Sequence, residues 1–400
     1  MVFVLYCKRF GRFATRIALI AYLALAGTWL SPSAWAQDFE TKAPYAFLLD
    51  VETGSVLLDK KSNEPMPPSS MVKLMTMAVV FDMLKEGQLS ITDEFLISED
   101  AWRRGGAVSG GSTMFAELNS KIALSDLIPG VVVQSGNDAA IAIAEGLAGT
   151  EPGFARLMNA KAQDIGLTGS NFTNATGLPD SEMHVTARDL AKIALYIIEQ
   201  HPTYYSYYGM EDFTWNGVRQ RNRNPLLSMG IGADGLKTGH TKEAGYGLVG
   251  SAVQDGRRLL LVVNGLSSMR ERREEARKLL LWGFRAFDKA TLFDAGETAG
   301  NVSVFGGTVG RVGVAGKGPI HLLIPKGAQP DLRARIVYQG PVSAPIEKGA
   351  RIANLRVYDG ESELLNAPLY AQEDVDVGPL HKRAMDAALA LLKQMWRQYF

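Results

Sequence analysis

Two apolar runs, Tyr246 to Val253 and Arg258 to Val263, flank an Asp255-Gly256 turn, and this is the strongest local commitment in the chain. An Asp-Gly pair tolerates the positive φ angles that a two-residue turn needs, so the segment predicts a tight antiparallel hairpin. Far upstream, Ala46 to Asp50 and Ser55 to Leu58 flank Glu52-Thr53-Gly54 and read as a second hairpin. Between them the apolar spacing changes to that of helices. Pro65, Pro67 and Pro68 break the chain, a strongly apolar helix follows over Ser70 to Leu84, and Gly87 stops it. Residues near 125 to 147 and 186 to 199 carry the same periodicity, with Gly146 and Pro202 as breakers. Gly235 to Thr241 reads as a short strand, and helical spacing returns from Ser268 to Phe287. Strands at both ends with helices between them predict an α+β domain, an antiparallel sheet flanked by helices.

From Leu292 to Val375 the pattern becomes short strands with Gly-rich turns at Gly306-Gly307 and Asp359-Gly360, which predicts a small all-β domain. Ile320 to Ile324 and Ala334 to Tyr338 are its strand candidates, and a last helix follows Gly378-Pro379. At the other end, Lys8, Arg9, Arg12 and Arg16 precede an apolar run, and Ala34-Trp35-Ala36 supplies a small-x-small cleavage signal. The competing reading is an uncleaved anchor, but the apolar run is short for a span. The expected organisation is therefore a signal peptide over 1–36, a first domain over 37–290, an all-β domain over 291–376 and a helix over 378–400. The only cysteine, Cys7, falls in the signal segment, so disulfides, thiolate metal sites and cysteine nucleophiles are not expected of the mature chain. Nor does the formal net charge of +0 suggest a nucleic-acid partner.

Three short stretches carry the chemistry. Ser70 and Lys73 are three residues apart at the start of a helix, so the amine can reach the hydroxyl. A serine hydroxyl needs a base to become a nucleophile, and a lysine of lowered pKa can be that base. Taken alone, the pair is more simply an N-capping serine followed by a surface lysine. Ser135-Gly136-Asn137, placed before a helix beginning near Asp138, adds a second hydroxyl and a carboxamide. Lys237-Thr238-Gly239 lies on the short strand, with a glycine that would let a substrate backbone come close. Ser-x-x-Lys, Ser-x-Asn and Lys-Thr-Gly in this order form the signature of active-site serine enzymes that react with penicillin.

With their flanks, Pro68 to Thr76, Gln134 to Ala139 and Asp234 to Thr241, these motifs resemble the low-molecular-mass penicillin-binding proteins. These are the D-alanyl-D-alanine carboxypeptidases of penicillin-binding protein 5/6 type. Arg219-Gln220, Asn222-Arg223-Asn224 and Leu279 to Phe284 extend the likeness over essentially the whole mature chain. The resemblance implies a β-lactamase/transpeptidase-like domain, then a β domain and a terminal amphipathic helix. Its implied reaction is removal of the last D-alanine from a peptidoglycan pentapeptide ending in D-Ala-D-Ala, without a cofactor. Ser70 would attack, Lys73 would accept its proton, and Ser135 would pass a proton to the leaving D-alanine. Asn137 would hold the substrate amide, and Lys237 and Gly239 would line the pocket. Backbone N–H groups of Ser70 and His240 would form the oxyanion hole. Thr238 and Arg272 would meet the terminal carboxylate, although Arg270 and Arg273 leave the register of that arginine open. His184 and His201 read as loop or helix-end residues, and no metal is expected.

β-Lactams are the expected inhibitors. A class A β-lactamase needs a glutamate to activate the deacylating water. The corresponding stretch, Asn171 to Asp189, lacks the Glu-x-x-x-Asn pattern and holds Glu182 alone, so a long-lived penicilloyl adduct is expected. On a helical projection of 380–400, Met385, Leu389, Leu392 and Trp396 share one face, while Lys382, Asp386, Lys393 and Arg397 share the other. That amphipathic pattern predicts a helix lying on the outer face of the cytoplasmic membrane, with a helix packed on the β domain or a dimer contact as alternatives. Two other functions fit the same residues: a DD-endopeptidase cutting peptidoglycan cross-links, and a non-catalytic wall-binding scaffold.

Overall fold

The structure is a computed structural model and describes residues 39–327 and 331–388. The expected signal segment lies outside the described residues, as does the terminal helix beyond 388. The chain forms two compact units, one of Phe39–Glu52 with Val56–Ala286 and the other of Thr53–Ser55 with the chain from Phe287 onward.

In the first unit the chain-end strands combine, as the two hairpins require. Strands β1 (Tyr45–Asp50), β2 (Val56–Lys60), β3 (Ala233–Thr241), β4 (Gly245–Gln254) and β5 (Arg257–Leu266) form one five-stranded sheet in the order β2-β1-β5-β4-β3. Every pairing is antiparallel. Leu259 to Val263 are buried without a break, the mark of a strand covered on both faces. Phe47, Leu260 and Val262 belong to the core shared with the helices. Their neighbours Leu48 and Leu259 point the other way, against Gly283 of the helix Met269–Arg285, where an added Cβ would come within 2.7 Å of Leu48.

The longer helices are α1 (Lys73–Lys85), α2 (Leu124–Val132), α3 (Asn137–Ala148), α4 (Glu151–Asp164), α5 (Ala187–Gln200) and α6 (Met269–Arg285). Helix α1 is buried from Lys73 through Asp82, because its sequence is apolar all round and α2, α4 and α5 cover it. The helical spacing read over 125–147 is interrupted between α2 and α3, where Ser135 takes φ +69°. That turn gives the second motif its own corner. Likewise the spacing read to Phe287 ends at Arg285, and Phe287–Phe293 is strand.

The second unit contains strands over Phe287–Phe293, Gly300–Phe305, Arg311–Ala315, Ile320–Pro325, Leu332–Val337, Val342–Ser343, Arg351–Asp359 and Ser362–Ala371. Alternating inward residues, among them Val302, Val312, Val314, Leu355, Val357 and Leu369, form its separate core. Residues 380–388 are helical, and Lys382 donates to the Thr308 carbonyl at 2.6 Å. Asp386 accepts the Gly306 N–H at 3.0 Å. The polar side of this turn therefore faces the β unit, while Leu380 and Met385 are 79% and 61% exposed.

Candidate active site

Pro67 and Pro68 end the extended approach, and the chain enters α1 through a 3-10 turn over Ser69–Val72. Ser70 thus sits one turn ahead of the α-helix, and Lys73 is its first residue rather than its fourth. The Lys73 amine is 3.2 Å from Ser70 Oγ, 2.7 Å from Asn137 Oδ1 and 2.6 Å from the Thr176 carbonyl oxygen. The three acceptors aim the amine, and the side chain is fully buried. Burial first, and the Arg223 charge second, lower its pKa from 10.5 to about 7 against the opposing pull of Asp138 and Glu151. A substantial neutral fraction near pH 7 is what a lysine base requires.

Of the two groups expected from the second motif, the Asn137 carboxamide touches Lys73 and the Ser135 hydroxyl lies on the turn just before it. Asn137 opens α3, and its oxygen accepts from Lys73. Ser135 is buried, and among the described residues its hydroxyl has no hydrogen-bond partner. A buried hydroxyl left unsatisfied is costly, so it stands ready for a group entering the site. Asp138 organises the corner, accepting from Thr113 Oγ1 at 2.6 Å and from the backbone N–H groups of Met114 and Ala116.

The third motif lies on β3, the edge strand, which packs beside the Ser69–Val72 turn. An edge strand presents backbone groups that an extended peptide can pair with. Gly239 has a stronger reason to be glycine than substrate approach: a Cβ there would lie 2.2 Å from Ser69 Oγ. Lys237 is buried and, among the described residues, donates only to the Thr238 carbonyl, at 3.2 Å. Burial, then the charges of Lys73, Arg223 and Arg272, hold its pKa well below the usual lysine value. Thr238 is buried, whereas His240 is exposed and stacks on Tyr246, its cross-strand partner, at 3.9 Å. Arg272 is the arginine of its cluster that turns inward. It is 7% exposed, lies over the Tyr246 ring, and approaches the Gly239 carbonyl at 3.5 Å. Its burial lowers its pKa to about 10.

Lys73, Lys237, Arg223 and Arg272 thus gather around one site, and among the described residues none forms an ion pair with a carboxylate. Of the two guanidinium groups Arg272 is buried and Arg223 exposed, and a buried charge left this way favours an anionic ligand. Sequence reasoning placed Arg223 only within a matching stretch. Its guanidinium donates to Ser112 Oγ at 2.6 Å and faces the same cations. The loop Asn174–Leu178, read in the sequence only for the glutamate it lacks, also reaches the centre. Asn174 Oδ1 accepts from the N–H groups of Thr176 and Gly177, a turn that Asn before Gly signals, and it presents the Thr176 carbonyl to Lys73. Glu182 is exposed, and a carbonyl rather than a carboxylate meets the amine from this loop.

Comparison with known proteins agrees along the chain. A family model described as D-alanyl-D-alanine carboxypeptidase matches residues 32–268, and one described as penicillin-binding protein 5, C-terminal domain, matches residues 287–377. The chain is 34% identical over 394 residues to the D-alanyl-D-alanine carboxypeptidase DacC of Escherichia coli (strain K12), covering 96% of this chain and 98% of that one. Penicillin-binding protein 5 from Haemophilus influenzae superposes with a TM-score of 0.69 at 36% identity, covering 84% of this chain and 98% of that one. Penicillin-binding protein D2 from Listeria monocytogenes, solved in its ampicillin-bound form, matches with a TM-score of 0.54 at 27% identity, covering 62% of this chain and 99% of that one.

Proposed function

Because the chain belongs to the D-alanyl-D-alanine carboxypeptidase family, we propose that Ser70 and Lys73 carry out its hydrolysis of a terminal D-Ala-D-Ala bond. The protein is a serine-type D-Ala-D-Ala carboxypeptidase, and the wall pentapeptide is its substrate. Neutral Lys73 takes the Ser70 proton as Ser70 Oγ attacks the carbonyl carbon of the penultimate D-alanine. The resulting oxyanion lies at the backbone N–H groups of Ser70 and His240. As the C–N bond breaks, Ser135 relays the proton from Lys73 to the departing D-alanine nitrogen. Water then hydrolyses the ester, with Lys73 again accepting a proton. Thr238 and Arg272 hold the substrate carboxylate, Lys237 adds charge to the pocket, and Asn137 orients the amine that its oxygen touches.

One observation carries this assignment: the 3.2 Å contact of a buried, near-neutral lysine with Ser70 Oγ. The test is intact-mass analysis after penicillin, beside D-alanine release from a D-Ala-D-Ala pentapeptide. Wild type is expected to gain one long-lived penicilloyl group and to release D-alanine, and Ser70→Ala to do neither. An undiminished adduct on Ser70→Ala would remove the nucleophile assignment. The long life of the adduct follows from the Thr176 carbonyl beside Lys73, which cannot act as the carboxylate base of a β-lactamase.

For location, the reading is an exported, periplasmic enzyme held to the outer face of the cytoplasmic membrane by its terminal helix. No helix among the described residues is long and apolar enough to cross a membrane. Support for surface attachment comes from the outward-facing Leu380 and Met385.

A further inference from the structure

A groove of about 890 Å³ opens beside the catalytic centre, between the Asn222–Pro225 segment and α6. Arg223 and Arg272 line it at the catalytic end, and Arg273 and Arg277 continue it along the exposed face of the helix. Residues four apart on a helix stand about 6 Å apart along its axis, so these two arginines form a short cationic track leading away from Arg272. Other charges nearby are already engaged. Glu274, the one carboxylate in the lining, pairs with Arg270, and Lys278 donates to the Glu40 carbonyl. Glu275 faces Thr41 and the Lys42 N–H, and Glu271 faces Ser267 and Lys42. Among the described residues, neither Arg273 nor Arg277 makes an ion pair or hydrogen bond.

We propose that this groove is a leaving-group subsite, in which Arg273 and Arg277 receive a second carboxylate borne by the side chain of the residue released from D-alanine. The subsite rests on the placement of the substrate carboxylate at Arg272. Since Arg272 also lines the groove, a released residue longer than D-alanine projects its side chain along the track. The substrate class is an acylated peptide whose scissile D-alanine is joined to an acidic D-amino acid, one that carries a free carboxylate on its side chain besides the one at Arg272. Its chemistry is unchanged: the D-alanyl C–N bond breaks, Ser70 takes the acyl group, the freed amine takes the proton, and water supplies hydroxyl to the acyl group.

The experiment compares two acylated peptides in the intact enzyme, one ending in D-Ala-D-Ala and one in D-Ala-D-2-aminoadipate. Arg273→Glu/Arg277→Glu is expected to leave kcat/KM for D-alanine release within about twofold, while release of D-2-aminoadipate falls at least tenfold, on the order of one lost charge contact. A peptide ending in D-Ala-D-Lys should gain correspondingly. Equal effects on all three peptides, or none, would overturn the subsite, provided Arg272→Gln impairs D-alanine release. If Arg272→Gln leaves D-alanine release intact, the carboxylate placement beneath the subsite fails instead. Loss of retention on immobilised polyphosphate, with all three hydrolyses unchanged, would assign the groove to an anionic polymer and also overturn the proposal.

Discussion

Lys73 can serve as a base only in its unprotonated form, and burial brings its pKa to about 7. Acylation by a β-lactam should therefore fall about tenfold per pH unit below that value and level off above it, read as second-order adduct formation between pH 5 and 9. Arg223 contributes to the lowering, so Arg223→Gln should move the inflection to higher pH, because removing a neighbouring cation favours the charged amine. Gly177 offers a steric test. At φ +78° its added Cβ would lie 1.9 Å from the Ser69 carbonyl oxygen, so Gly177→Ala should cost about 3 kcal/mol or more and slow acylation. A thermal midpoint and an acylation rate both unchanged would contradict this. At this scale the sequence was readable where a proposed role falls to a motif side chain: Ser70, Lys73, Ser135 and Lys237 stand in motifs, whereas Arg223 did not stand out. The Thr176 carbonyl has no such mark, because every residue has one. Gly239 announced a close approach, but not that Ser69 is what comes close.

Helices α1, α4 and α5 meet at a polar cluster far from any motif. Asp82 of α1 accepts from His201 at 2.9 Å and Tyr196 at 2.5 Å, and pairs with Lys161 at 2.7 Å. Burial pushes this carboxyl upward, but the bonds from His201, Lys161 and Tyr196 outweigh it and hold the pKa at about 2. A lowered carboxylate pKa stabilises the fold above the ordinary value of 3.8, and that stabilisation is lost as pH falls through about 2. Asp82→Asn should destabilise the first unit by about 1 kcal/mol at neutral pH, since Lys161 keeps only the looser Asp164 pair at 3.6 Å, with a reduced urea midpoint as the readout. His201, read as a helix-end residue, does cap the end of α5, but its bond to Asp82 crosses the core. Periodicity identified the elements because apolar faces decide helix and strand. It could not place the break between α2 and α3, where the apolar pattern runs on while Ser135 turns the backbone.

For the whole molecule, the exposed apolar residues at the start of the terminal helix make a direct prediction. A chain ending at Val377 should keep penicillin binding and lose most of its sedimentation with anionic lipid vesicles; full sedimentation would exclude the helix as the attachment. The order β2-β1-β5-β4-β3 has a different consequence, one concerning time. Strand β1 finds its second partner only in β5, the last strand of its sheet to be made, and the edge strand carrying Lys237 joins through β4. Such distant pairing is slow to form, because the intervening chain must be closed into a loop first. A growing chain that already contains Ser70, Lys73 and Ser135 therefore still lacks the strand that closes its sheet. Ser70 faces its whole surroundings only after β5 has been made, because β4 pairs with β5 and β3, which carries Lys237 beside the Ser69–Val72 turn, pairs with β4.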